Sequence, residues 1–182
     1  MARQRQVQKV DNFTDRTSEA ITQSNYNGKI ILDAFKLRGY SLVETPLLEE
    51  TDLFLRKSGG ELASLLYEFQ EPTGLSVSIR PEFTGPILRY LIENRSIECG
   101  IQRLCYFGNV LRGPDSGQTN REFRQLGAEL IGGSDCRADA EIISMAFEGL
   151  RSIGIDDTRV IVGDIGLIWN LLAQFRLSER AQ

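Results

Sequence analysis

Not one histidine occurs in the 182 residues of this chain, and that single absence removes whole classes of mechanism. A Ser-His-Asp triad, a Cys-His pair, an imidazole metal site and a histidine proton shuttle are all excluded. Cysteine is nearly as scarce. Cys99, Cys105 and Cys136 form an odd set without CxxC spacing, which suggests neither a disulfide framework nor a zinc site and fits a reducing cytosol. Neither GxxxxGK followed by Ser or Thr nor GxGxxG is present, so a P-loop and a dinucleotide fold lack support. No apolar run approaches a membrane span, and the opening MARQRQVQKV is basic without the apolar core of a secretory signal. Acidic residues are scattered, with no loop of alternating Asp or Asn, so no metal site is expected. A formal net charge of -4 argues against a broad nucleic-acid-binding surface.

What is present is enough apolar material, 41% of residues, to bury a core of one domain. Residues 1–16 read as a tail or lead-in and 17–182 as the domain. Apolar spacing predicts a helix over about Thr17–Leu37 stopped by Gly39, with the Asn27-Gly28 pair weakening its first half. A short strand follows at Tyr40–Val43, ended by Pro46, then a helical turn at Asp52–Lys57 whose Leu53, Phe54 and Leu55 pack under a sheet. Leu65–Phe69 and Leu75–Ile79 read as strands about the turn Glu71-Pro72-Thr73-Gly74. Phe83–Ile92 reads as a helix with Thr84 as N-cap and Pro86 in the first turn. A long helix capped by Ser134 or Asp135 runs to about Ile153, with Ala140, Ile143, Ala146, Phe147 and Leu150 as its core stripe and Asp139 and Glu141 near its N-terminal end. A strand at Arg159–Val162 and a helix at Leu167–Phe175 follow. The expected class is α+β: an antiparallel sheet with helices largely on one side and a ligand cleft on the other.

The most specific stretch is YFGNVLRGPDSGQTNREFRQLGAE, residues 106–129, where two alternating apolar runs flank a polar turn. Alternation puts Gln125, Gly127 and Glu129 on one strand face, with Gly127 leaving room for a ligand. Arg112 stands at the strand end, where a guanidinium fork suits a carboxylate or phosphate. On spacing alone, a solvated hairpin with ordinary surface charges accounts for the same residues equally well.

Resemblance decides between them. Arg121-Glu122-Phe123, Gln125, Gly127 and Glu129 resemble motif two of class II aminoacyl-tRNA synthetases in its histidyl form. Arg80-Pro81-Glu82-Phe83-Thr84 resembles the element that holds the amino acid's ammonium in histidyl-tRNA synthetases and their paralogues. Gly39-Tyr40, Thr45-Pro46 and Leu48-Glu49 look like motif one, a dimer element. The similarity covers roughly residues 28–177.

By that resemblance, Glu82 and Thr84 would bind the ammonium of histidine, Gln125 and Glu129 would complete the amino-acid pocket, and Arg112 would take the carboxylate or an ATP α-phosphate. Arg121 is a second nucleotide-side candidate, and no residue is assigned a catalytic role. Ordinary structural roles stand beside these: a helix-start carboxylate for Glu82, a cap for Thr84, a surface cation for Arg112. The chain departs from the enzymes after Arg112, where Gly113-Pro114 lacks the ATP-contacting glutamate, and at Gln118-Thr119-Asn120, where a loop cation is lost. Each change is expected to weaken nucleotide binding by about 1.5–3 kcal/mol. No motif-three arginine precedes Gln182, so no tRNA charging is expected of the chain alone. The resemblance therefore implies a paralogue serving as regulatory subunit of ATP phosphoribosyltransferase, and Val162-Gly163-Asp164-Ile165-Gly166-Leu167 resembles that subunit's segment. Its expected partners are histidine, the catalytic subunit and a second copy through motif one, in the cytoplasm, with tRNA and membrane unlooked for and no cofactor required. The alternatives are a shortened histidine–tRNA ligase, needing ATP and magnesium, and an assembly module that binds no ligand.

Overall fold

The computed structural model describes residues 7–56, 63–94, 96–113, 117 and 119–174. Helix α1 (Ser18–Leu37) starts where Thr17 accepts a hydrogen bond from the Ala20 amide at 3.2 Å, and the chain leaves it through Gly39 at a φ of 84°. Gly28 does not interrupt it. A methyl group there would lie 2.2 Å from the Phe107 ring, so the glycine lets the helix close down on the strand beneath.

That strand is β5 (Gln102–Leu111), the centre of a mixed three-stranded sheet. It pairs antiparallel with β6 (Glu122–Ile131) over ten residue pairs, from Gln102↔Ile131 to Leu111↔Glu122. On its other edge lies β1 (Ser41–Leu42), whose pairing with β5 is parallel. A second sheet has the order β2 (Leu48–Glu50), β4 (Ser76–Ile79), β3 (Tyr67–Gln70), antiparallel throughout. The α+β class holds, divided between two small sheets.

Arg80 staples the sheets together. Its Nε donates to the Asn109 carbonyl at 3.0 Å, one amino group reaches the Thr45 hydroxyl at 3.3 Å and the Pro46 carbonyl at 3.2 Å, and the guanidinium lies 4.0 Å over the Phe83 ring. Only 5% of the residue is exposed. Burial lowers its pKa, opposed by the charges of Glu44 and Glu49, and the bonds offset the cost of burying a cation.

Two cores lie on opposite faces of β5–β6. On one, Phe83, Ile87 and Leu91 of α3 (Thr84–Glu93) and the residue before it meet Leu104, Tyr106 and Val110. On the other, Leu32 and Phe35 of α1 and Met145 of α4 (Cys136–Ser152) meet Tyr40 and Cys105. Burial pushes the Cys105 thiol pKa up. Helix α3 thus covers part of the face expected to be open, and the candidate site lies at that helix's N-terminal end.

Several expectations change. Asp135, not Ser134, caps α4, accepting from the Arg137 and Ala138 amides at 3.1 Å each. The core stripe of α4 is turned by one residue: Ile142, Met145 and Gly149 face inward, while Ile143 and Leu150 are 36% and 37% exposed. Glu141 lies on the side of α4 turned toward β5. It is no dipole ornament but a partner of Arg103, at 2.8 and 2.9 Å, and of the Tyr40 hydroxyl at 2.8 Å. The helical turn at 52 becomes α2 (Thr51–Leu55), with Phe54 buried and Leu55 exposed, and Lys57 lies outside the described residues. Residues 159–162 form no strand. Val160, Ile161 and Val162 are exposed, because β-branched propensity makes a ladder only where a neighbouring strand is offered. Helix α5 (Ile165–Gln174) is capped by Asp164, which accepts from the Gly166 amide at 2.7 Å, and Phe175 lies outside the described residues. Among the described residues no helix is long and apolar enough to cross a membrane.

Candidate functional site

The β5–β6 register fixes which side chains share a face. Gly108 opposes Gln125, Tyr106 opposes Gly127 and Leu104 opposes Glu129, and the Arg112 amide donates to the Arg121 carbonyl at 2.9 Å. Opposed residues of an antiparallel pair point the same way. Gln125, Gly127 and Glu129 therefore share the α3 face, as the alternation predicted, and Arg112 and Arg121 belong to it as well.

The sharp turn Arg80-Pro81-Glu82-Phe83 brings α3 onto that face. Thr84 is not the N-cap. Phe83 holds that position without a side-chain bond, and the carboxylate of Glu82 does the capping, accepting from the Thr84 amide and from the Gly85 amide at 2.8 Å. The hydroxyl of Thr84 is thereby turned away from its own helix, and donates to Glu129 Oε1 at 2.8 Å. The Tyr106 hydroxyl reaches the same oxygen at 3.4 Å. Glu82, Thr84 and Glu129, remote in sequence, thus form one connected network.

Tyr106 was missed in the sequence, although its register opposite Gly127 was implicit in the hairpin. A methyl group at Gly127 would stand 2.3 Å from the Tyr106 hydroxyl. The space left by the glycine is filled by tyrosine, not by a ligand, and Tyr106 stacks on Phe83 with ring centroids 4.4 Å apart. Burial raises the Tyr106 pKa, and the negative charges of Glu129 and Glu82 raise it further.

The electrostatics of the network are one-sided. Among the described residues neither Glu82 nor Glu129 joins an ion pair, though both are partly buried. Two carboxylates are thus joined through one threonine, with no cation beside them among the described residues. A carboxylate that caps a helix still has acceptor positions to offer.

Toward the loop, order gives way to loose ends. Arg112 Nε donates to the Pro81 carbonyl at 3.1 Å, and its guanidinium lies 5.0 Å over Phe123. Arg121 reaches the Tyr67 hydroxyl at 3.3 Å, but its Nε is enclosed without a partner, as is Gln125 Oε1. The N-terminal segment closes this end: the Arg121 amide donates to the Asn12 carbonyl at 2.8 Å, and Phe13 meets Tyr67 with ring centroids 6.4 Å apart. Pro114 and Gln118, two of the loop departures, lie outside the described residues.

A hairpin floor with arginines at its loop end, an acidic network fed by a helix start, and a parallel strand at the far edge together define a class II aminoacyl-tRNA synthetase-like core. The family model described as histidyl-tRNA synthetase matches residues 12–182. The chain belongs to the histidyl-tRNA synthetase family. It is 34% identical to a histidine–tRNA ligase of Methanocaldococcus jannaschii over 178 residues, covering 96% of this chain and 42% of that protein. Among solved structures it is similar to an ATP phosphoribosyltransferase regulatory subunit/histidyl-tRNA synthetase from Bacillus halodurans, with a TM-score of 0.83 at 27% identity, covering 96% of this chain and 45% of the other. The apo histidyl-tRNA synthetase of S. aureus superimposes with a TM-score of 0.68 at 26% identity, over 82% of this chain and 35% of its own. The chain spans less than half the length of each of these relatives.

Proposed function

We propose that this chain binds L-histidine as a regulatory signal, in the manner of a synthetase-like regulatory subunit of ATP phosphoribosyltransferase, without aminoacylation activity of its own. The carrying observation is the Glu82–Thr84–Glu129 network, an acidic pair with no cation among the described residues. In this reading Glu82 and Glu129 receive the ammonium, Thr84 orients Glu129, Gln125 completes the pocket, and Arg112 takes the carboxylate. Loss of the loop glutamate and loop cation beside Arg112 and Arg121 supports an amino-acid site with a weakened nucleotide side. The likeness to the Bacillus halodurans protein supports the regulatory role.

In that role the chain needs no cofactor. It works in the cytoplasm as a homodimer through the motif-one region, and histidine binding is coupled to a separate catalytic subunit. Calorimetry with L-histidine, L-histidinol and L-glutamine tests the reading: L-histidine is expected to bind with the highest affinity, and equal or absent heats for all three remove the sensor.

The second reading is a histidine–tRNA ligase, favoured by the Methanocaldococcus jannaschii relative. Here Arg112 and Arg121 would clamp ATP with magnesium. Histidine-dependent exchange of pyrophosphate into ATP supports this reading, and its absence with histidine bound supports the first.

A further inference from the structure

The acidic network treats its two carboxylates unequally. Glu82 has both oxygens in use, Oε2 accepting from the Thr84 amide and Oε1 from the Gly85 amide at 2.8 Å. Glu129 is held through one oxygen alone. Its Oε1 accepts from the Thr84 hydroxyl at 2.8 Å and from the Tyr106 hydroxyl at 3.4 Å, while among the described residues no donor reaches Oε2. An ionised carboxylate has acceptor positions on both oxygens, so this arrangement leaves one side of Glu129 open.

Glu129 needs such holding. It stands on β6, the last strand of its sheet, where none of the ten residues is fully buried. Packing therefore does not fix the side chain, and an untethered glutamate would lose rotamer freedom on meeting a ligand. Tyr106, on the neighbouring strand, is the opposite case. Only 5% of it is exposed, its ring is stacked on Phe83 with 11° between the planes, and its hydroxyl stands over Gly127, where a methyl group would be 2.3 Å away. Enclosed to this degree, it is a fixed donor rather than a ligand contact. Burial first, then the charges of Glu129 and Glu82, raise its pKa and keep the proton on the phenol at neutral pH.

We propose that Tyr106 is a positioning residue for the amino-acid site: with Thr84 it fixes Oε1 of Glu129, so that Oε2 is the oxygen presented to the bound amino acid. The inference rests on the histidine reading and extends it to a residue that the ligand does not touch. Thr84 alone would let the carboxylate swing about a single hydrogen bond, whereas donors from two elements, α3 and β5, restrict that swing.

The test is calorimetry with L-histidine on the native chain, Tyr106→Phe, Glu129→Gln and the double variant, together with carbon NMR of the tyrosine Cζ atoms. Tyr106→Phe keeps the ring on Phe83 and loses only the hydroxyl, so the fold is expected to persist. Its histidine affinity is expected to be about three- to tenfold below native. In the Glu129→Gln background the same change is expected to cost less than about twofold, because Tyr106 acts through Glu129, whereas a merely structural role would cost the same in both backgrounds. The Cζ resonance of Tyr106, identified by its absence from Tyr106→Phe, is expected to move when histidine binds the native chain, because a donor at Oε2 weakens the acceptor at Oε1. Native affinity in Tyr106→Phe, an equal loss in both backgrounds, or an unmoved Cζ resonance with histidine bound would overturn the inference and leave the histidine reading standing. No histidine binding by the native chain would overturn both.

Discussion

Glu129 and Arg121 stand on one face of one strand and its lead-in, yet their surroundings differ in kind. At the Glu129 end the contacts interlock, from the helix start through one side chain to the next. Glu82 caps α3, Thr84 is turned outward by that cap, and Tyr106 fills the gap over Gly127. At the Arg121 end Arg112 holds one carbonyl and lies over one ring, Arg121 reaches one hydroxyl, and two enclosed polar atoms lack partners. One end is an interlocked acidic network, while the other is a set of donors and acceptors without a shared target. Preorganisation is what lets charged groups bind an amino acid without first losing conformational freedom. The proposed function rests on this difference, since it assigns the amino acid to the first end and a weakened nucleotide side to the second.

The largest expected break comes from neutralising the acidic end. Glu129→Gln keeps the shape and removes a charge, so histidine affinity is expected to fall about 10- to 100-fold by calorimetry. An unchanged affinity would mean that the network is only structural. Next is Gly127→Ala, where the added methyl group collides with Tyr106. We expect a loss of roughly 1–3 kcal/mol in urea unfolding, because the tyrosine is pinned between Phe83 and Glu129 and has no direction in which to yield. A smaller effect is expected at the loop end. Millimolar ATP with magnesium is expected to move the Tm by less than about 1 °C in the native chain and in Arg112→Gln alike, and a shift of several degrees that is lost in the variant would restore the nucleotide side.

A third carboxylate serves as the control. Glu141 does have its cation. The Arg103 hydrogen bond, helped by Tyr40, drops its pKa from 4.5 to about 2. Folding lowers this pKa, so the contribution of the pair is complete above 4.5 and is lost as pH falls toward about 2. Glu141→Gln is expected to lower the Tm at neutral pH by about 2–4 °C and to flatten the acid limb of a Tm-against-pH series in that window.

Much of this was legible before any coordinates. The two alternating runs within 106–129 gave the hairpin and the shared face of Gln125, Gly127 and Glu129, since a one-residue slip would turn every side chain to the other face. The motif residues named Glu82, Thr84 and Glu129, which hydrogen bonds join, and Gln125, which shares their face without joining the network. The capping role of Glu82 was harder to assign, because Thr84 and Glu82 are both plausible at a helix start and only backbone geometry chooses between them. Tyr106 was overlooked because its role depends on a register across the hairpin rather than on its own neighbours in sequence. The stripe of α4 was displaced because it depends on partners remote in sequence, such as Arg103, which is 38 residues from Glu141. Residues 159–162 show the limit from the other side. Their propensity for a strand is genuine, but a strand is a property of two segments, and no described segment pairs with them.

A crystal structure of the chain soaked with L-histidine tests the central claim most directly. The account predicts an amino acid whose ammonium nitrogen lies within about 3.2 Å of oxygens from both Glu82 and Glu129. An empty acidic network, or histidine bound elsewhere with both carboxylates untouched, would contradict it.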